Sequence, residues 1–132
     1  MLTPETELKL LSILKDRTNY DKYKSALSPL FFSQESTRAL FEAITSYFTK
    51  YKGDFLKGRD LRILVKKSVK DPEMLAECHR YIGIIRRMKF KDEELIYDTV
   101  ISFAQSQSVK QLLLEVVPML DGKQVNLLDL RN

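Results

Sequence analysis

The 132 residues are 44% hydrophobic and 30% charged, enough apolar material for one folded domain and too much for a disordered chain. One cysteine, Cys78, and one histidine, His79, exclude an internal disulfide and a four-ligand structural zinc, so no metal or other cofactor is expected within these residues. No apolar run approaches the ~20 residues of a membrane span, and MLTPETELKLL lacks the basic start of a signal peptide. The expectation is a cytoplasmic protein with no membrane partner.

The net charge of +4 is unevenly spread. Residues 1–52 carry 8 Lys/Arg against 6 Asp/Glu (+2), residues 53–91 carry 11 against 5 (+6), and residues 92–132 carry 3 against 7 (−4). Such a division points to two surfaces with different partners, or to a head-to-tail contact between copies.

Apolar residues recur at helical spacing and no segment alternates strictly, so an all-α fold is expected. Thr3-Pro4 reads as a cap and first turn for a helix carrying Leu8, Leu11 and Leu14, widened by Leu10 and Ile13 and ending near Asp16–Asn19. A shorter amphipathic piece follows from Asn19 to Leu27, broken at Ser28-Pro29. Leu30-Phe31-Phe32 forms an apolar knot. Ser33 should then start the strongest helix, with Leu40, Phe41, Ile44, Tyr47, Phe48 and Tyr51 as a core stripe and Gly53 as its left-handed terminator.

The next helix is expected over Lys57–Lys70, burying Leu61, Leu64, Val65 and Val69. Arg59, Arg62, Lys66 and Lys70 lie opposite, with Lys67 at the edge. Asp71-Pro72 opens a helix through Leu75, Cys78, Ile82 and Ile85 that ends near Met88 in a basic string. Asp92 caps the last long helix, with Glu93 and Glu94 where they favour the dipole.

That last helix carries two apolar stripes. Ile96, Val100 and Phe103 make the first; Val109, Leu112, Leu113, Val116 and Leu120 make the second, rotated by roughly 130° at 100° per residue. The small polar run Ala104–Ser108 between them is either a turn or the middle of one continuous helix. Continuity is favoured, because the run holds neither Gly nor Pro. A continuous helix would leave the head and bury its second stripe elsewhere. Pro118 should kink or end it, Asp121-Gly122 should turn the chain, and Val125, Leu127, Leu128 and Leu130 should begin another helix too short to stand alone. The expected organisation is a head over 1–103, of about five to six helices, and a hairpin arm over 104–132, cut short within a longer protein.

Catalytic patterns are missing from the sequence. Gly53 and Gly58 have P-loop separation, but Arg59-Asp60 follows where Lys-Ser/Thr is needed, and no H-E-x-x-H or G-x-S-x-G occurs. Cys78 and His79 are helix neighbours diverging by about 100°, so Cys78 is expected in the core and His79 at the surface.

Several segments resemble the N-terminal domain of DnaB-family replicative helicases. ELKLLSIL is similar to its opening helix. YKSALSPLFFSQESTRALFEAITSYFTKYKG resembles its most recognisable stretch, with Phe32, Arg38, Leu40, Phe41, Glu42, Ala43 and Ile44 in the places of an aromatic entry and an R-x-I-F-E-A-I helix. LIYDTVISFAQSQSVKQLLLEVVPML looks like the helix running from head to hairpin. The Gly-Gly-x-x-Tyr-Leu element of bacterial members is absent, with only Tyr81-Ile82-Gly83 in its neighbourhood, which points toward bacteriophage members.

The resemblance implies a non-catalytic collar on a hexameric ring. Subunits would associate through the hairpin, primase and/or a helicase loader would dock, and ATP and Mg would bind only in a separate C-terminal ATPase domain. The second stripe would be the assembly surface. The competing reading is a stand-alone nucleic-acid-binding module, in which Arg59, Arg62, Lys66 and Lys70 track phosphates; the bland reading of that face is a solvated helix surface. A small phage-type regulator of a host protein is a third reading.

Overall fold

The computed structural model describes residues 4–123, with side chains described through residue 116. Thr3, the side chain of Leu120 and the second arm expected after Lys123 lie outside the described residues. The described part is all-α: α1 Glu5–Leu14, α2 Arg17–Tyr23, α3 Glu35–Lys50, α4 Gly58–Ser68, α5 Pro72–Ile85 and α6 Glu93–Lys123. Two 3-10 turns, Lys24–Ala26 and Pro29–Phe31, bridge α2 to α3.

α1 is the central element. Every residue from Leu10 to Leu14 is buried, as are Glu7 and Leu8, so this helix is enclosed nearly all round. It packs against α2, α3, α5 and α6, while α3, α4 and α5 pack on one another. Its buried carboxylate, Glu7, accepts hydrogen bonds from Ser33 N (2.8 Å), Ser33 Oγ (2.5 Å) and Thr37 Oγ1 (2.8 Å). That engagement explains one boundary. Ser33 does not cap α3: its N–H and hydroxyl are turned to Glu7, and the helix begins two residues later after Gln34.

Other boundaries also differ from expectation. α1 ends at Leu14, because Asp16 accepts from Thr18 N and starts α2 at Arg17 rather than Asn19. α4 is shorter at both ends, its N-cap Lys57 and C-cap Val69 both being extended. α5 stops at Ile85 instead of Met88, its last carbonyl and that of Met88 beyond it being taken by side chains of α1 and the residue after α1. Lys15 Nζ donates to Ile85 O and Met88 O, both at 2.8 Å, and Ser12 Oγ lies 3.1 Å from the same oxygens. A cation at a helix C-terminus answers both its orphan carbonyls and its dipole.

Gly53 is not a left-handed terminator. α3 ends at Lys50, and Tyr51 leaves in extended backbone, which turns its ring out to 43% exposure rather than into the core stripe. What Gly53 provides is space: a Cβ there would collide with the Tyr47 hydroxyl. The end of α3 is closed by Arg17, whose guanidinium donates to Gly53 O (2.7 Å), Phe48 O (3.3 Å) and Tyr51 O, with its Cζ 4.9 Å from the centroid of the Phe48 ring. An isolated antiparallel bridge between Asp16 and Phe55 ties the two segments together.

Cys78 is buried, as expected, with Sγ 3.7 Å from Ser36 O. His79 is not a surface residue: it is half-buried and its Nε2 has no partner among the described residues. α5 packs against α1, α3 and α4, so its covered face is wider than the Cys78–Ile82–Ile85 stripe alone.

Candidate interaction surface

α6 begins as designed by its sequence, Asp92 Oδ1 accepting from Glu94 N (3.0 Å) and Leu95 N (3.1 Å). The polar run 104–108 is helical, so the chain passes through it without a turn. The helix also carries through Pro118 and Asp121-Gly122 to Lys123, rather than stopping at either. Proline deprives the carbonyl four residues earlier of its donor, and that residue is Leu114, 59% exposed, where water can take the donor's place. A single glycine in a final turn costs only about 1 kcal/mol.

The first stripe seats α6 on the head. Ile96, Val100 and Phe103 are at most 5% exposed, and the Phe103 ring lies 5.6 Å from Phe32 and 6.4 Å from Phe31. Phe32 in turn stacks on Phe41 at 4.8 Å. This aromatic chain explains why Leu30-Phe31-Phe32 precedes α3: Phe32 is the hub between α3 and α6. Arg38 holds the knot in place by donating to Pro29 O (3.3 Å) and Phe32 O (3.2 Å). The last tie described between α6 and the head is polar, Gln111 Nε2 to Leu30 O at 3.0 Å.

Beyond it the helix runs on for about 18 Å, twelve residues at 1.5 Å each. The second stripe is solvent-facing: Val109, Leu112 and Leu113 are 55–59% exposed and Val116 is half-buried. Leu114, off that stripe, is equally open. An open groove beside α6, lined by Leu27, Phe31, Ile101 and Ala104, runs up to Val109 and joins the stripe to the head. Sequence reasoning found the stripe but missed Leu114 and this groove, since neither follows from the helical spacing of α6 alone.

The basic face divides. Arg59, Lys66 and Lys70 are exposed, whereas Arg62 is half-buried. Lys66 and Lys67 occupy the last turn of α4 and Asp60 its first, an arrangement that complements the helix dipole without any ligand. Lys70 lies beyond the helix end.

Burial, and then the Glu77 carboxylate, push the Cys78 thiol up to about 11, so it stays protonated at neutral pH and is a poor nucleophile. Lys15 is held below its ordinary value by burial first and by Lys89 second. Among the described residues no group of three His, Cys, Asp or Glu side chains is placed to hold a metal ion, and no helix is long and apolar enough to cross a membrane. Comparison with protein-family models, with curated proteins and with solved structures finds no match for this chain.

Proposed function

We propose that this chain is a non-catalytic assembly and docking domain, the N-terminal collar of a DnaB-type hexameric replicative helicase of bacteriophage type. In this reading the head is joined through α6 to a helical hairpin by which subunits pair. Primase and/or a helicase loader dock on the collar in the cytoplasm, and ATP and Mg act in another domain. The observation that supports it is the apolar stripe Val109, Leu112 and Leu113, more than half exposed on a helix whose root is locked into the core. Contiguous apolar surface of this kind marks an interaction site. The groove past Phe31 and Ala104 offers a second copy's helix a seat against arm and head together.

Sedimentation velocity over a wide concentration range tests the assembly. The chain should associate as concentration rises, and Leu113→Asp should return it to a monomer with an unchanged circular dichroism spectrum. A wild-type chain that stays monomeric throughout, or a variant that associates as well as wild type, overturns it. The helicase reading has a separate test. Coding sequence downstream should carry G-x-x-x-x-G-K-[ST] within about 100–150 residues, one domain's length. Its absence removes the helicase while leaving the assembly surface standing.

A further inference from the structure

The loop between α3 and α4 carries an exposed aromatic ring on a backbone that is held on both sides. Leu56 N donates to Lys15 O (2.7 Å) and Arg17 N to Asp54 O (2.8 Å), so the backbone on each side of Phe55 is pinned to the α1–α2 junction. The three bonds from Arg17 to Phe48, Tyr51 and Gly53 pin the preceding turn. Successive residues of extended backbone point to opposite sides. Leu56 therefore goes inward, 2% exposed, and Phe55 outward, 48% exposed.

One cation lies against this ring and others stand in its neighbourhood. Lys15 Nζ lies 5.8 Å from its centroid on the protein side. Phe55, Gly58 and Arg86 line one small cavity of about 40 Å³, and a Cβ on Gly58 would sit 3.6 Å from Arg86 Cβ. Lys89 is near enough to Lys15 for its charge to oppose protonation there. Lys57, Arg59, Arg86 and Lys89 are all exposed, and none is in an ion pair among the described residues. The acids nearby in sequence are Asp54 and Asp60, the latter in the first turn of α4.

We infer that Phe55, with Lys57, Arg59, Arg86 and Lys89, forms a binding surface for single-stranded nucleic acid. An unpaired base stacks on the free face of the ring and the adjoining phosphates lie along the cations. Because the backbone that carries the ring is already held, little backbone freedom is lost when a base covers it. Duplex is disfavoured because its bases offer no free face, and the site presents a loop rather than a helix or ribbon to a groove. The α4 face beyond Arg59 lacks a ring, which separates this surface from Arg62, Lys66 and Lys70. It is also independent of the α6 stripe.

The test is fluorescence anisotropy of a labelled oligothymidylate with the whole chain, at low and moderate salt. Binding should weaken with salt, and Phe55→Leu should weaken it about tenfold, the scale of one base–aromatic stack. Phe55→Tyr, which keeps a ring, should restore binding and guards against a folding defect in the leucine variant. Arg86→Gln with Lys89→Gln should flatten the logarithmic salt slope by about 1.4, at roughly 0.7 per phosphate contact. No binding at low salt overturns the inference. So does loss on Lys66→Gln with Lys70→Gln while Phe55→Leu binds normally. Equal competition by polyglutamate overturns it in favour of an acidic protein partner.

Discussion

The two halves of α6 are similarly rich in apolar residues, and their two apolar stripes differ sharply in burial. Between Ile96 and Ala104 the stripe Ile96, Val100 and Phe103 is buried against Phe31, Phe32 and α1; between Val109 and Leu114 each apolar side chain is more than half exposed. The root is where the helix gains its stability, and the outer half is helical because it continues a nucleus already formed. An amphipathic pattern thus states that a face must be covered, but not by what. Position relative to the end of the head decides that.

Substitutions should divide along this line. The largest effect is expected for Val100→Asp, which places a charge at a site 0% exposed and should cost about 4 kcal/mol or more in urea denaturation. A loss below 1 kcal/mol would mean that the root is not part of the core.

A pH titration probes the head without touching the arm. The Cys78 thiol keeps its proton to about 11 when folded against 9.0 otherwise, so the stability this provides is complete below pH 9 and is lost as pH rises through 11. At roughly 1.4 kcal/mol per unit the loss approaches about 2–3 kcal/mol. Lys15 acts in the opposite sense, its lowered value favouring the folded state as pH climbs toward 10.5. It is present in both proteins when wild type is compared with Cys78→Ala, so a shallower alkaline decline in the variant isolates the thiol. Parallel declines would show that the buried thiol does not contribute.

Smaller effects fall at the boundary and beyond it. Gln111→Ala removes the outermost polar tie and should cost about 0.5–1 kcal/mol, seen as faster amide exchange around residues 104–111. Unchanged exchange there would place the departure point nearer the head. Leu113→Asp should change monomer stability by no more than about 0.5 kcal/mol, despite its expected effect on association. A larger destabilisation would mean that this side chain packs on its own head.

Much of the head was readable because its helices signal locally. Asp71-Pro72 and Asp92 cap where they stand, and Leu61, Val65, Cys78 and Ile82 recur at the spacing of a buried face. The stripe at Val109, Leu112 and Leu113 was readable for the same reason. The α3–α4 loop was not. Phe55 and Tyr51 are two aromatics among many in the sequence, and their exposure depends on where Arg17 and the Asp16–Phe55 bridge hold the backbone, nearly forty residues away along the chain. Sequence periodicity sees neighbours three or four residues apart and is blind to such pairs.

From the order of residues alone came the helical class, the caps, the core stripes and the mismatch between the two faces of α6, since each depends on spacing along one helix. Only the tertiary structure decided that Lys15 and Arg17 would close α5 and α3, that Glu7 would claim Ser33, and that Gly53 would make room for Tyr47. Buried charged groups need partners of opposite polarity wherever the packed chain supplies them, and those partners are set by three-dimensional proximity.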